Sequence, residues 1–195
     1  MIELGVYERQ NEMGLRIPEE MHILGVGGVG FWTACNAALL GVDKIHIYDE
    51  DKLEISNRNR LPYSLLDIGN SKTELCERAI AKFRNIEVIK HPFISNPDEV
   101  LEMDGVIVNA MDYPMKALVQ MHADKKEIWT IGANDTRYSI TNKVLKEPTW
   151  SLSNVSSYTG ICAPTVIMAA SHTMGLITVG TKNLVSISND IRMGL

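Results

Sequence analysis

A glycine-rich turn lies directly after the first apolar run of the chain and constrains the fold more than any other feature. The apolar run is Met21–Leu24, and Phe31–Leu40 beyond the turn is helical in composition. The turn contains four glycines, namely Gly25, Gly27, Gly28 and Gly30. Because glycine has no Cβ, backbone N–H groups can approach a phosphate there, and a helix N-terminus adds about half a positive charge. The pattern indicates a nucleotide site without specifying a reaction.

Strand and helix patterns alternate along the rest of the chain. Strands are predicted at Lys44–Tyr48, Ile86–Lys90, Gly105–Ala110 and Ile128–Ala133. Helices are predicted at Lys72–Phe83, Asn96–Leu101 and Pro114–Asp124. Ser71, with Glu74 three residues on, is the predicted N-cap of the first of these helices, and Arg137–Leu145 alternates as an antiparallel strand does. This order predicts an α/β fold with a doubly wound, mostly parallel Rossmann-like sheet, helices on both faces and a C-terminal antiparallel extension.

The whole chain is predicted to form one domain. It has 195 residues, no internal repeat and no low-complexity linker. Within it we expect an N-terminal helical arm over residues 1–20, a nucleotide-binding core over 21–135, and C-terminal strands and a helix over 136–195. The net charge of −5 argues against non-specific binding to nucleic acid or to a membrane surface. Any positive site must therefore be local.

The cysteines and the apolar segments bear on the compartment of the protein. Three cysteines without a Cys-x-x-Cys pair support neither a disulfide framework nor a structural zinc site, so no zinc is expected. Met1–Leu4 lacks a secretory signal pattern, which predicts a cytoplasmic protein. The longest apolar stretch, 163–180, is interrupted by Ser171, His172 and Thr173, and this predicts a buried helix instead of a membrane span.

Charged residues follow the second predicted strand. Asp49 comes nineteen residues after Gly30, a position from which a carboxylate reaches the ribose hydroxyls of NAD or of ATP. The stretch beyond it contains Asn57, Arg60 and Lys72. An enzyme that binds a dinucleotide does not need a cluster of phosphate-binding cations at this place, whereas the three phosphates of ATP would be bound by them. The cations therefore favour ATP.

An acid also follows the fourth predicted strand. The buried run Gly105–Ala110 leads to Asp112. Ligands of open α/β sheets bind outside the carboxyl ends of the strands, and carboxylate oxygens are suitable ligands for Mg²⁺ on phosphate. Asp112 is therefore a candidate magnesium ligand.

These residues together resemble the ThiF/MoeB/HesA-type adenylyltransferases, which are homologous to the ubiquitin-activating enzymes. The motifs of that family occur here in order as Gly25–Gly30, Asp49–Asp51, Ser56–Arg60, Ile68–Lys72 and Asp112. Near the N-terminus, Tyr7–Gln10 is similar to the family's Arg-Gln element. The resemblance extends from there to the helix after Pro164, which is nearly the whole chain.

The resemblance implies a carboxyl-activation reaction. The C-terminal carboxylate of a ubiquitin-like protein, a sulfur-carrier protein or a peptide attacks the α-phosphate of Mg-ATP, and an acyl-adenylate and pyrophosphate are formed. Arg60 and Lys72 are implied to bind the β- and γ-phosphates, and Asp112 to hold Mg²⁺. Arg9 is implied to reach the ATP site of a second subunit like an arginine finger, so a homodimer is expected. The implied nucleotide-binding residues also include the four glycines of the turn, Asp49, Asp51, Ser56 and Asn57.

The chain departs from the family pattern at several points. The paired Cys-x-x-Cys zinc clasp and the long crossover loop that often bears a catalytic cysteine are missing. Leu61 stands where the family usually has Gln, and Tyr113 where it often has Asn. Cys162 lies in an apolar approach to a helix, so we expect a packing role for it. These differences leave a small carboxylic acid open as an alternative acceptor.

Two other functions are compatible with parts of the sequence. The glycine turn and Asp49 serve an NAD-dependent oxidoreductase equally well, but the sequence shows no obvious hydride-site His or Tyr-Lys arrangement and Lys72 would lack a role. A nucleotide-binding scaffold or regulatory subunit of a ubiquitin-like activation system is the second alternative. It predicts binding without pyrophosphate release.

Overall fold

The computed structural model of the chain describes residues 5–146, 161–181 and 183–191. In these ranges one sheet contains seven strands, β1 Glu20–Leu24, β2 Lys44–Tyr48, β3 Glu87–His91, β4 Val106–Asn109, β5 Ile128–Asn134, β6 Arg137–Thr141 and β7 Ser186–Asp190. Their spatial order is β3-β2-β1-β4-β5-β6-β7. The first five are parallel, and β6 and β7 add antiparallel to the β5 edge. The predicted fold class, with its C-terminal antiparallel extension, is confirmed.

Helices connect the strands across both faces of this sheet. They are α1 Glu8–Asn11, α2 Gly28–Leu40, α3 Lys72–Ile80, α4 Met115–Gln120 and α5 Ala163–Thr178. Short 3₁₀ helices cover Ile55–Asn57, Leu65–Asp67 and Pro97–Glu102. On one face α2, α3 and α5 pack over apolar side chains such as Ile23, Ile45 and Val108. On the other face the third 3₁₀ helix and α4 cover Leu24 and Ile107.

The helix predicted over Lys72–Phe83 is shorter in the structure, where α3 ends at Ile80. Ser71 is its N-cap residue, as predicted. The Ser71 side chain makes no capping hydrogen bond, however, and its hydroxyl lies 2.8 Å from the Thr73 hydroxyl instead. The backbone N–H of Lys72 is bonded to the Asp51 carbonyl at 3.0 Å. A neighbouring segment of backbone thus supplies an acceptor at this helix start, which the sequence pattern alone does not reveal.

The long apolar segment near the C-terminus forms α5, and the prediction of a buried helix is confirmed. Val166, Ala169, Thr173 and Ile177 recur every three or four residues and are buried, which gives the helix one core-facing side. This side packs against α2 and the adjacent strands. Among the helices in the described ranges, none combines the length and the apolar character needed to span a bilayer.

The strand order places a topological switch point at the end of β1. Leu24 pairs with Tyr48 of β2 on one side and with Asn109 of β4 on the other. The chain leaves β1 toward β2 through α2, whereas β4 lies on the opposite side of β1. Ligands of doubly wound sheets bind in the crevice that such a reversal opens.

The N-terminal segment packs against the far end of α2. Over residues 5–20, the described part of the predicted helical arm, there is one short helix, α1. Tyr7 packs against Gly41, and the Gln10 amide donates to the Leu40 carbonyl at 2.7 Å. The Arg84 guanidinium lies 5.9 Å from the centre of the Tyr7 ring. These contacts fix α1 beside the C-terminal end of α2.

Met174 provides a test of the α5 packing. Replacing this buried side chain by alanine should lower the free energy of unfolding by about 2–5 kcal/mol, because the substitution leaves a cavity beneath the helix. The exposed Met168 lies on the same helix, and Met168→Ala should change the same quantity by less than about 0.5 kcal/mol. Chemical denaturation of both variants measures the difference. Equal effects would contradict the packing described for α5.

Candidate functional site

The glycine turn has a conformation that side chains would obstruct at two positions. Gly25 has φ +84°, and a Cβ there would lie 3.1 Å from the Ala110 carbonyl oxygen. A Cβ on Gly30 would lie 1.8 Å from the Gly25 carbonyl oxygen. The turn therefore brings the start of α2 close to the end of β4, and glycine is required for this approach.

The N-terminus of α2 borders open space. A Cβ built on Gly27, the residue before the helix, meets no heavy atom within 4 Å. The first N–H groups of a helix have no acceptor within the helix, and they form the positive end of its dipole. At Gly28 the situation differs, since a Cβ there would be 2.9 Å from Arg60 Cδ. The open helix end and the adjacent arginine are suited to an anion.

Asp49 connects β2 to this turn. Its Oδ2 accepts a hydrogen bond from the Val26 N–H at 2.8 Å, and its Oδ1 accepts one from the Asp51 N–H at 2.9 Å. Burial raises the pKa of the Asp49 carboxyl, and the nearby Lys72 ammonium acts in the opposite direction. Each carboxylate oxygen has a second lone pair, so these bonds leave acceptor capacity for ribose hydroxyls.

A backbone pairing brings Lys72 to Asp51. Lys52 and Ser71 form an antiparallel bridge, and the Lys72 N–H bonds to the Asp51 carbonyl. The Lys72 ammonium then lies 2.6 Å from Asp51 Oδ2. The Lys72 side chain is only 12% exposed, whereas that of Asp51 is 66% exposed. The lysine is therefore held in place before any ligand binds.

Arg60 lies across the start of α2. Its Nη1 donates to the Ser56 carbonyl at 3.0 Å and to Asn59 Oδ1 at 2.9 Å. Its own carbonyl accepts a hydrogen bond from Trp32 Nε1 on α2 at 3.0 Å. Burial lowers the pKa of Arg60 from its usual value, and the charge of Asp112 opposes that shift. Arginine stays protonated under these conditions, so the site keeps a fixed positive charge.

Asn57 and Ser56 have structural contacts in addition to their predicted roles. Asn57 is buried, and its Oδ1 accepts a hydrogen bond from the Glu54 N–H at 3.1 Å. The Ser56 hydroxyl donates to Glu54 Oε2 at 3.3 Å, and the Ser56 carbonyl orients Arg60. Both residues thus shape the loop that supports the arginine. Their contacts with a nucleotide stay a prediction.

Asp112 lies at the end of β4 beside the glycine turn. It is exposed and follows Met111, whose backbone nitrogen is 3.2 Å from the Cβ position of Gly25. The sequence pattern missed its neighbour Lys116, which is buried one helical turn later. Burial lowers the pKa of Lys116, and the Asp112 carboxylate opposes the shift. Asp112 precedes α4, and the Lys116 N–H donates to the Asp112 carbonyl at 3.0 Å, so the spacing of four residues across the start of a helix is the signal that could have identified this pair.

Arg9 lies away from the glycine turn of its own chain. It is exposed on α1, which packs at the Leu40 end of α2, whereas the turn precedes the Gly28 end. Thirteen helical residues span about 20 Å. The structure brings together Asp49, Asp51, Ser56, Asn57, Arg60, Lys72 and Asp112 around the turn. It does not bring Arg9 to them.

Cys162 lies at the N-terminus of α5, near the Arg60 loop. Its Sγ is 3.1 Å from the Thr165 hydroxyl and 3.6 Å from the Asp135 carbonyl. The adjacent Ile161 carbonyl accepts a hydrogen bond from Asn59 at 2.6 Å. The predicted packing role of Cys162 stays a prediction. The resembled family usually has its reactive cysteine a few residues before this position, where the present sequence has Ser or Thr. That segment lies outside the described residues.

The strand order, the glycine turn and the charged strand ends define a doubly wound α/β protein of the nucleotide-binding class. The profile of the ThiF family matches residues 18–134, which is more than half of the chain. The chain therefore belongs to the ThiF family.

Curated relatives match a shorter part of the chain. Ubiquitin-like modifier-activating enzyme 5 from Xenopus laevis is 34% identical over 90 residues, and the enzyme from Drosophila mojavensis is 39% identical over 90 residues. Each match covers 46% of this chain and 20% of the relative. The matched segment thus spans one fifth of the length of these relatives.

Solved structures share the fold over most of the chain. E. coli MccB superposes with a TM-score of 0.73 at 19% identity, and the match covers 97% of this chain and 70% of MccB. The structure of E. coli MccB with ATP gives a TM-score of 0.66 at 18% identity, covering 88% of this chain and 63% of MccB. At these identities the likeness concerns the fold.

The close approach at Gly30 is open to a direct test. Gly30→Ala should lower the free energy of unfolding by about 1–3 kcal/mol, because the new methyl group would overlap the Gly25 carbonyl. Gly175 of α5 is the matched control, since a Cβ there meets no heavy atom within 4 Å. Gly175→Ala should be neutral or stabilising by up to about 1 kcal/mol. Denaturant titrations that rank the two variants in the reverse order would contradict this geometry.

Proposed function

We propose that this chain is a Mg-ATP-dependent adenylyltransferase that activates a carboxylate, most simply the C-terminus of a ubiquitin-like or sulfur-carrier protein or of a peptide. The observation that carries the proposal is the pair of fixed cations, Arg60 and Lys72, at the open N-terminus of α2. Two carboxylates, Asp49 and Asp112, flank them. Membership of the ThiF family supports the same reaction class.

The difficulty of the reaction is electrostatic repulsion. A carboxylate must approach a polyphosphate, and two unit charges at about 4 Å repel by roughly 4 kcal/mol at the effective dielectric near a protein surface. Arg60 and Lys72 offset this repulsion. Both are positioned before substrate binds, Arg60 by the Ser56 carbonyl and Lys72 by Asp51, so little reorganisation is needed during the reaction.

The bond changes require no proton transfer. A carboxylate oxygen of the substrate forms a bond to the α-phosphorus of ATP, and the bond from that phosphorus to the bridging oxygen of the β-phosphate breaks. The products are the acyl-adenylate and pyrophosphate, which takes the electron pair of the broken bond. The cationic side chains stabilise the negative charge that accumulates on the departing pyrophosphate.

Asp112 fits the role of magnesium ligand. Its carboxylate is exposed at the end of β4, next to the turn, and its charge reaches Arg60. Mg²⁺ binds through one or two carboxylates, substrate phosphates and water, and it would neutralise phosphate charge at this place. The charge of the same carboxylate also acts on the buried Lys116, which would favour the ionised form of Asp112.

The relatives point to the class of substrate. The Xenopus and Drosophila enzymes are named for activation of a ubiquitin-like modifier, and one E. coli MccB structure contains MccA together with the ATP analogue AMPCPP. A peptide or protein carboxylate is therefore our first choice of acceptor for this chain. The NAD-dependent alternative is not supported by the family match or by the paired cations. A cytoplasmic location and a single domain over residues 1–195 complete the proposal.

The position of Arg9 supports a homodimer. Because α1 packs at the far end of α2, Arg9 would have to act on the site of a second subunit if it contacts phosphate at all. In a dimer with two-fold symmetry, each subunit would contribute its Arg9 to the site of the other subunit. In such a dimer each site combines Arg60, Lys72 and Asp112 of one chain with Arg9 of the other.

Exchange of pyrophosphate into ATP tests the reaction. Wild-type protein with Mg²⁺ and a suitable carboxylate from a panel of carrier proteins, peptides and small acids should catalyse exchange, and Asp112→Ala should lower the rate by about 10²–10³-fold. Asp124→Ala removes an exposed acid beyond α4 and is the control that should leave the rate unchanged. ATP binding without exchange for any carboxylate would refute the enzyme proposal and favour the scaffold alternative.

Mixing two inactive variants tests the exchange of Arg9. Arg9→Ala and Lys72→Ala should each be inactive alone, but random mixing should restore roughly a quarter of the sites, because a mixed dimer has one site free of both substitutions. A mixture of Lys72→Ala with Asp112→Ala is the control, and it should stay inactive since both residues serve the same site. If Arg9→Ala alone retains full exchange activity, the proposed role of Arg9 is wrong.

A further inference from the structure

A cluster of histidine side chains lies at the start of the sheet, away from the glycine turn. Glu20 and His22 are two residues apart on β1, so they share one face, and His22 pairs in register with His46 of β2. Glu20 begins β1 and Gly25 follows its last residue. Five strand residues span about 16 Å, so the cluster and the glycine turn lie at opposite ends of the parallel strands.

The two histidines orient the same nitrogen atom toward Glu20. His22 Nδ1 lies 2.9 Å from the Tyr48 hydroxyl, and His46 Nδ1 lies 2.8 Å from His91 Nε2. The Nε2 atoms of His22 and His46 lie 3.4 Å and 2.9 Å from Glu20 Oε1. Glu20 Oε2 is directed to the Lys44 ammonium at 3.2 Å. One ligand atom from each of Glu20, His22 and His46 lies within 4.8 Å of the other two.

Both Nε2 atoms are buried and lack a hydrogen bond. His22 is 4% exposed, and within the described residues neither its Nε2 nor that of His46 has a hydrogen bond of good geometry, although the Asp104 backbone approaches the His22 ring. Glu20 Oε1 is close to both nitrogens but does not lie in a hydrogen-bonding direction from either. Buried polar atoms in folded proteins are nearly always satisfied, so two unsatisfied nitrogens beside one carboxylate indicate a missing partner.

A metal ion would satisfy all three atoms. We propose that Glu20, His22 and His46 form a binding site for a divalent late first-row transition metal ion such as Zn²⁺, separate from the proposed Mg-ATP site. Two imidazole nitrogens and one carboxylate oxygen are ligands that Zn²⁺ accepts, whereas Mg²⁺ and Ca²⁺ prefer oxygen atoms alone.

The surroundings of the histidines have the arrangement expected around a metal. Histidines that bind metal through one nitrogen usually hold the other in a hydrogen bond, which fixes the tautomer and the ring direction. Tyr48 and His91 supply this contact to the two Nδ1 atoms. Lys44 occupies Oε2 of Glu20 and leaves Oε1 to the ion.

Metal binding requires a small rearrangement of the rings. The His22 and His46 rings are stacked, with their centres 4.3 Å apart and their planes 19° apart. The lone pairs of two nearly parallel rings do not meet at one point, so one ring must tilt for both to bind the same ion. Its Nδ1 contact with Tyr48 or His91 must adjust with that tilt. An ion held in this way would lie about 2.0–2.1 Å from each Nε2 atom.

This site differs from the zinc clasp that the cysteine pattern argues against. The sequence contains no Cys-x-x-Cys pair, and the expectation of no zinc was drawn from that fact. His22 and His46 are twenty-four residues apart in the sequence without a motif of their own. The strand register alone makes them neighbours.

The test uses the full chain after removal of metal with a chelator. Titration with Zn²⁺ alone, followed by calorimetry, should show one equivalent bound, and Co²⁺ should give the visible absorption of a low-symmetry site. Bound Zn²⁺ should also raise the melting temperature. Glu20→Gln and His46→Gln should each weaken binding by about 100-fold or more, while both keep a similar side-chain volume.

A second histidine–carboxylate pair gives the matched control. His122 Nε2 lies 3.1 Å from Asp98 Oδ1, and His122→Gln should leave Zn²⁺ affinity unchanged. No saturable binding to the wild-type chain would overturn the proposal. So would binding that Glu20→Gln and His46→Gln leave unaltered, which would mark an adventitious ion only. These measurements involve no ATP, so they are independent of the outcome of the exchange assay.

Discussion

The hydrogen bond from the Val26 N–H to the Asp49 carboxylate, 2.8 Å long, connects the glycine turn to the end of the second strand. The turn can approach β4 only because Gly25 and Gly30 lack side chains. With its conformation fixed in this way, the turn sets the direction of α2 and leaves the positive end of that helix facing open space. The cations Arg60 and Lys72 can act on a phosphate only because this helix end lies beside them.

The long loop between β2 and α3 brings those cations to the turn. Its two ends pair with each other through Lys52 and Ser71, so Lys72 returns to Asp51 after some twenty residues. In the middle of the loop, Arg60 is fixed to α2 by Trp32 and lies over Gly28. Lys72 is held by the Asp51 carboxylate, and Arg60 by the Ser56 carbonyl and the Asn59 amide oxygen, before any ligand binds. A bound polyphosphate would compete with these partners for both cations.

The sequence could predict the strands and the residues at their ends, because apolar runs and glycine punctuation are local signals. The bounds of β2 and the class of the sheet were predicted correctly. Two features of α3 were not: the helix ends at Ile80, and its first N–H is bonded to the distant Asp51 carbonyl. A local sequence pattern does not predict strand register either, and the cluster around Glu20 depends on that register. The nucleotide contacts of Asn57, whose amide oxygen already supports the loop, stay a prediction.

The two ends of the parallel strands carry different chemistry for a physical reason. At the carboxyl ends of β1, β2 and β4, helix N-termini and loops converge, so charged ligands meet both dipoles and side chains. At the opposite end the strands begin, and the Glu20 cluster adds side-chain contacts between β1 and β2 to their backbone pairing. About 16 Å of strand separates the two. An ion at the strand starts is too distant to touch a reacting phosphate, so any influence it has on the nucleotide site must pass through the register of β1 against β2.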